Sequence, residues 1–371
     1  MSAPRTYLDH NATTPLCPEA RLAIMDALAL TGNPSAQHAH GRAGARLVEQ
    51  ARDAVALALG VCSDDLYFTG SGTEADNLAV HSAVHGGSKR LLVSSMDHPA
   101  TVEAALASGA ALEFIPAGPD GVTDLDWLAR RLESWHEADG RAFVSCVAAN
   151  SECGVLQPIP ALFELTRTHD ALLLVDAVQV PGKADLPVMA DYVAVSAHKL
   201  GGPQGVGALY ASPDAPLAPL LHGGGQERRK RAGTPNVAGI AGFAAAASVA
   251  QPMRPDLRDD FEARLRALDP AVTILGQGAP RLPNTSLFGV PGVSSQTLMM
   301  GLDLAGVSVS TGTACASGKV GASRAVEAMG YADRLSGGVV RVSFGHDSTP
   351  ADADAFLTAW TTIRRLKRLA A

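Results

Sequence analysis

Cysteine is scarce in this chain, with five residues at positions 17, 62, 146, 153 and 315. So few, so widely scattered, cannot form a disulfide scaffold, and the odd number leaves at least one free thiol. The absence of any Cys-x-x-Cys pair argues against a zinc knuckle. A basic surplus is also missing: 30 Lys and Arg stand against 37 Asp and Glu, a net charge of −7. Nothing in that balance drives binding to nucleic acid or an anionic membrane. The longest apolar stretch, Val237 to Ala250, falls well short of the ~20 residues that span a bilayer. The N-terminal residues contain no apolar core of signal type. A cytoplasmic protein in a reducing compartment is the expectation, with no metal site, nucleic acid or membrane partner.

Charged residues are few, at 18%, whereas apolar residues make up 47%. That mixture excludes general disorder, which needs low hydrophobicity and high net charge. At 371 residues, the chain is long enough for two domains of roughly 100–200 residues each. Arg42 to Leu59 carries Leu47, Val48, Ala51, Val55 and Leu59 at helical spacing, and Gly60 stands where a helix would stop. Short apolar runs recur at 66–69, 91–94, 143–148, 172–175, 192–196 and 206–210. Without alternation, such runs suit strands buried on both faces of a helix-covered, mostly parallel sheet. After Gln251 the pattern predicts a helix over 259–268, strands near 285–288 and 339–344, and a closing helix from Pro350. The reading is an α/β fold: a large domain over 15–250, and a smaller α+β domain formed by 1–14 and 251–371.

Three segments could carry chemistry. In Ser196-Ala197-His198-Lys199, followed by a Gly-rich run to Gly207, a lysine leaves the end of an apolar strand, where ligands of open α/β sheets bind. Such a lysine can form a Schiff base with a carbonyl, the usual attachment of pyridoxal phosphate. In Leu172 to Gln179 a buried strand delivers Asp176, a carboxylate that could keep a pyridinium nitrogen protonated. Gly70-Ser71-Gly72-Thr73-Glu74 lies between a strand and a helix, where free N–H groups could cradle a phosphate. Taken singly, each segment has an ordinary structural explanation: a surface lysine, a turn-capping Asp, a tight turn.

Together with several further runs, these segments resemble the cysteine desulfurases. That family is the class V aminotransferase-like branch of fold type I pyridoxal-phosphate enzymes. The similar runs are Tyr7 to Pro15, Gly32 to Ser35, Phe68 to Asn77, Asp97 to Ala100, Val175 to Gln179, Ser196 to Gly207, Gly223 to Thr234, Ser310 to Gly318 and Arg341 to Gly345. The resemblance implies that Lys199 holds pyridoxal 5'-phosphate, Asp176 pairs with the ring nitrogen, and Gln179 bonds the ring hydroxyl. His98 would stack on the ring and act in proton transfer. Gly72, Thr73, Ser196 and His198 would bind phosphate, with Thr234 reaching over from the second copy of a homodimer. Arg341 would clamp the carboxylate of L-cysteine, assisted by Asn33.

The family usually has two consecutive Asn residues before Glu-x-Gly, and here Ser151 takes the second place. The cofactor contact would pass through Ser151, through water, or through Asn150. The nucleophile falls on Cys315, set among small and polar residues in the longer cysteine loop typical of one desulfurase group. L-Cysteine would yield L-alanine and a Cys315 persulfide, which passes to an acceptor such as an iron–sulfur scaffold. Cys146, inside an apolar strand, is expected to be inert. Two rivals stay open at this point. A relative acting on selenocysteine, or as an aminotransferase, would have no strict need of Cys315, and a degenerate binding subunit would lack a cofactor absorption band. Arg228 to Arg231 reads as a solvated basic run or a subunit surface.

Overall fold

The computed structural model describes residues 5–185, 188–311 and 323–370, with side chains to residue 365. Its centre is a seven-stranded sheet. Across the sheet the strands run Leu66–Thr69, Gly207–Ala211, Tyr192–Ser196, Leu172–Asp176, Phe143–Val147, Arg90–Ser94 and Ala111–Ile115. Only Gly207–Ala211 opposes its neighbours; the other pairings are parallel. Val, Leu and Ala fill the central strands because helices cover both faces. Ala39–Leu59 and Val237–Val249 cover one face; Gly72–His85 and Pro99–Ala107 cover the other. The first helix starts three residues earlier than Arg42 and ends where expected, with Gly60 left-handed at φ 72°.

A four-stranded antiparallel sheet follows, in the order Ser310–Thr311, Val340–Ser343, Thr285–Gly289, Thr273–Ile274. Thr6–Tyr7 pairs in parallel with Val307–Ser308, and Asp9 bridges to Ser343. The N-terminal strand thus lies with the C-terminal part of the chain. The chain's aromatic residues are few, at 5%, but five of them concentrate in this second core: Phe261, Phe288, Phe344, Phe356 and Trp360. The Phe261 and Phe356 rings meet edge to face at 5.1 Å, the geometry their quadrupoles favour. On the closing helix, Phe356, Leu357 and Trp360 are buried and Ile363 packs beside them. Among the described residues no helix is long and apolar enough to cross a membrane.

One buried ion pair holds a strained turn. Glu227, Arg228 and Arg229 are consecutive non-glycine residues with φ of 44°, 53° and 67°, a conformation that costs roughly 1–2 kcal/mol per residue. The Glu227 carboxylate accepts both Nη groups of Arg52, at 2.7 and 2.9 Å, and the N–H of Phe68 at 2.8 Å. Glu227→Ala is expected to destabilise the fold by roughly 1–3 kcal/mol, because it removes the buried partner of Arg52 and of the Phe68 N–H while Glu49 and the Leu66 carbonyl still hold the guanidinium. A fall in the urea midpoint with unchanged slope would show it. The neighbouring basic run is not simply solvated. Arg228 donates to Asp64 O, Lys230 to Leu217 O and Arg231 to Glu74, while Arg229 is exposed.

Candidate active site

The sheet topology brings the motifs together. Leu66–Thr69, Arg90–Ser94, Phe143–Val147, Leu172–Asp176 and Tyr192–Ser196 point the same way, so their carboxyl ends share one edge. The segments that leave this edge carry Gly72, His98, Ser151, Asp176 and Lys199. All five line one cavity of about 250 Å³, together with Thr73, Gln179, Ser196, His198 and Arg341. Asn33 and Thr234 are exposed and are not among the lining residues. Cys315 lies outside the described residues.

At one end of the cavity the helix Gly72–His85 begins. Ser71 caps it by accepting the Glu74 N–H at 3.1 Å. The Gly72 and Thr73 N–H groups precede any intrahelical acceptor, and both residues line the cavity. A Cβ on Gly72 would stand 2.6 Å from Val178 Cγ2, and one on Gly207 would stand 2.6 Å from the Ser71 carbonyl carbon. Glycine at both positions is a packing requirement of this cradle. His198, partly buried beside it, hydrogen-bonds Thr13 Oγ1 through Nδ1 at 3.2 Å. Burial and the nearby Lys199 and Lys183 charges push it down to about 4, so it is a neutral ring at neutral pH.

The floor is acidic. Asp176 Oδ1 accepts the Val178 N–H at 2.9 Å. Burial raises its carboxyl, while His98, that N–H and Lys199 favour the anion. Asp76, one turn into the Gly72 helix, is buried, and its Oδ1 has no hydrogen-bond partner. Burial and the charges of Asp176 and Asp97 hold it well above the usual carboxylate range. A ring nitrogen that arrives carrying a proton suits this floor. His98 caps its own helix: Nδ1 accepts the Ala100 N–H at 3.1 Å, which leaves the proton of the neutral ring on Nε2. Burial lowers its pKa. The cradle, the acidic floor and the lysine therefore fit a phosphorylated pyridine aldehyde.

Lys199 Nζ donates to the carbonyls of Asn11 at 2.6 Å and Ala12 at 2.8 Å. Arg341 donates to Asp9 Oδ1 at 2.6 Å and to Ser151 O at 3.0 Å, while its buried Nε has no partner. A guanidinium held by two edges, with its Nε unused, is poised for an incoming carboxylate. Asn150 lines the same cavity as Ser151, but its side-chain amide is already engaged. Its Oδ1 accepts the N–H groups of Glu152 and Cys153, and its Nδ2 donates to Met96 O. The Asn150 amide thus holds its own turn together. Cys146 and Cys153 are both buried. Burial raises the Cys146 thiol and pushes Cys153 up to about 12, so neither is a thiolate at neutral pH.

Sequence reasoning missed Asn11, Asp9 and Asp76 as site residues. Asn11 joins three parts of the chain: its carbonyl serves Lys199 and Gln179, its Nδ2 serves Ser151 O and Thr285, and its Oδ1 accepts from Asn284. Asp9 and Asn11 fall inside the similar run Tyr7 to Pro15, and Asp76 inside Phe68 to Asn77, but their partners are not visible there. Glu152 also lies close by. Its carboxylate accepts the Ser323 hydroxyl at 2.5 Å, and burial raises it from 4.5 to about 7 against the pull of Ser323 and Arg341. An acid raised on folding binds its proton more tightly in the native state, so its contribution to stability falls as pH rises from 4.5 through 7. Glu152→Gln is expected to flatten that fall, read as denaturant midpoints between pH 5 and 8; an unchanged slope would contradict it.

The model of the family described as aminotransferase class V matches residues 6–356. The chain belongs to that family. It is 38% identical over 370 residues to a cysteine desulfurase of Cereibacter sphaeroides, covering 95% of this chain and 94% of the relative. It is 35% identical to the cysteine desulfurase IscS of Dictyoglomus turgidum, covering 93% and 91%. A NifS-like protein from Rickettsia africae superposes with a TM-score of 0.89 at 31% identity, covering 97% of this chain and 99% of that one. Within the class V family the chain is therefore a cysteine desulfurase, and that family depends on pyridoxal phosphate.

Proposed function

We propose that the chain binds pyridoxal 5'-phosphate in the cavity and acts on L-cysteine. The net reaction converts L-cysteine and the Cys315 thiol into L-alanine and a Cys315 persulfide. Sulfur is the only heavy atom that moves: one C–S bond breaks, one S–S bond forms, and the thiol hydrogens end on alanine carbon and the outer sulfur. The observation that carries this reading is the convergence of Lys199, Asp176 and Arg341 on one cavity.

Gly72, Thr73, Ser196 and His198 would hold the phosphate, with Thr234 of a second copy completing that end of the site. Its exposure, away from this chain's own cavity, supports that role. His98 would lie on the ring face, Asp176 at the ring nitrogen, Gln179 at the ring hydroxyl and Ser151 beside it. When bound, pyridoxal phosphate supplies an electron sink for the pair left at the amino acid's Cα. Arg341 would bind the substrate carboxylate, with Asn33 assisting. Lys199 Nζ is the base for the Cα proton, and His98 Nε2 is a second group able to move a proton. Cys315 Sγ receives the sulfur and delivers it to an acceptor protein, an iron–sulfur scaffold being the class the family resemblance suggests.

The test is to incubate the cofactor-loaded protein with L-cysteine and a thiol, and to measure alanine and sulfide. Equal amounts of the two are expected, with none from L-serine, whose hydroxyl cannot yield sulfur. Failure to form alanine would contradict the proposal. Selenocysteine assayed in parallel separates a lyase selective for selenium.

A further inference from the structure

Lys183 is buried, 4% exposed, yet among the described residues it forms no ion pair. Its Nζ donates to Gln179 Oε1 at 2.6 Å. Gln179, itself buried, donates through Nε2 to Asn11 O at 2.9 Å, and the same carbonyl accepts Lys199 Nζ at 2.6 Å. The chain of contacts fixes which end of the amide is which. A carbonyl accepts only, so Nε2 faces Asn11, and the lysine donor faces Oε1. An amide nitrogen carries two hydrogens; one is spent on Asn11, and Gln179 lines the cavity.

We propose that Lys183 is a positioning residue that locks the Gln179 amide so that its remaining N–H is presented to the cofactor's ring oxygen. This rests on the proposed cofactor site. A glutamine freed from the lysine could turn its amide over and bring an acceptor to an oxygen that needs a donor. Burial without a carboxylate is a costly setting for an amine, and its retention here calls for a task. Burial and the charges of Lys199 and Arg341 push Lys183 well below the ordinary lysine range. His10 and His198 also feel its charge. Charged or neutral, the amine donates to Oε1, so the lock does not depend on a charge.

Donation to the ring oxygen favours its anionic form, so losing the donor should move the pH midpoint of the bound cofactor's visible absorption upward. The experiment compares wild type, Lys183→Met, Gln179→Met and the double variant, each as apoprotein titrated with pyridoxal phosphate and then scanned across pH. Lys183→Met is expected to raise the midpoint by about one pH unit and to weaken cofactor binding about tenfold. The double variant is expected to match Gln179→Met alone, because the lysine acts through the glutamine. Lys183→Leu, which also lacks the amine, is read in the same way if the methionine variant does not fold. A Gln179→Met shift with none from Lys183→Met, or shifts that add in the double variant, would overturn the inference. Wild type that binds no cofactor, or Gln179→Met with an unmoved midpoint, would instead defeat the reading of the site on which it rests.

Discussion

Lys199→Ala is expected to lower alanine formation from L-cysteine by at least ~10²–10⁴-fold, the range for loss of a positioned proton-transfer group. The amine leaves the end of Tyr192–Ser196 through a single 3₁₀ turn, Ala197–Lys199, and its Nζ is oriented by the carbonyls of Asn11 and Ala12. Those carbonyls cannot replace it as a base, and His98 lies on a different strand end with its own helix to cap. The same variant should fail to develop the visible absorption that a lysine-held aldehyde cofactor gives. Fold stability should change little, because the side chain is only partly buried. Rates from coupled detection of alanine, beside a denaturation curve, separate the two effects. Activity within tenfold of wild type would remove Lys199 from its proposed role.

Arg341→Ala should lower kcat/KM for L-cysteine by about 10²–10⁴. Removing one partner of a buried charged contact costs roughly 3–5 kcal/mol, and each 1.36 kcal/mol is tenfold in rate. The arginine is 4% exposed, and its Nε has no acceptor, so the substrate carboxylate would satisfy a donor now buried at a cost. Its other contacts, to Asp9 and Ser151 O, set the plane of the guanidinium. Asp9→Asn should therefore produce a smaller loss that appears mainly in KM. Arg341→Lys keeps charge but not the planar fork, and is expected to fall between wild type and alanine. Steady-state rates across cysteine concentrations test both; equal kcat/KM for Arg341→Ala and wild type would contradict the carboxylate role.

Much of the large sheet was legible because its central strands are short apolar runs between polar turns, as at 172–176 and 192–196. The edge strand Ala111–Ile115 was not. Its residues are largely exposed or partly exposed, and Glu113 within it pairs with Arg90 and Arg131, so no continuous apolar run marks it. Val237–Val249 reads as a featureless apolar stretch because neighbouring helices and the sheet bury it on most sides.

The same contrast holds in the cavity. Lys199, Asp176 and the Gly72 turn are visible locally, since each follows its own strand. Asp9 and Asn11 act across 332 and 188 positions of chain, in the Asp9–Arg341 and Asn11–Lys199 contacts, and their local sequence does not say which distant residues they meet. Asp76 and Lys183 look like surface charges on a helix and in a turn; only the fold buries them. Asn150 lines the cavity too, and its bonds to its own turn and to Met96 O are visible only in the fold.

The most direct test of sulfur transfer is mass spectrometry of the cofactor-loaded protein after brief exposure to L-cysteine, with peptide mapping and no added thiol. The peptide containing Cys315 is expected to gain the mass of one sulfur atom, reversed by a reductant and absent in Lys199→Ala. Alanine released in stoichiometric amount with no sulfur on that peptide, or with sulfur on Cys62 instead, would contradict it.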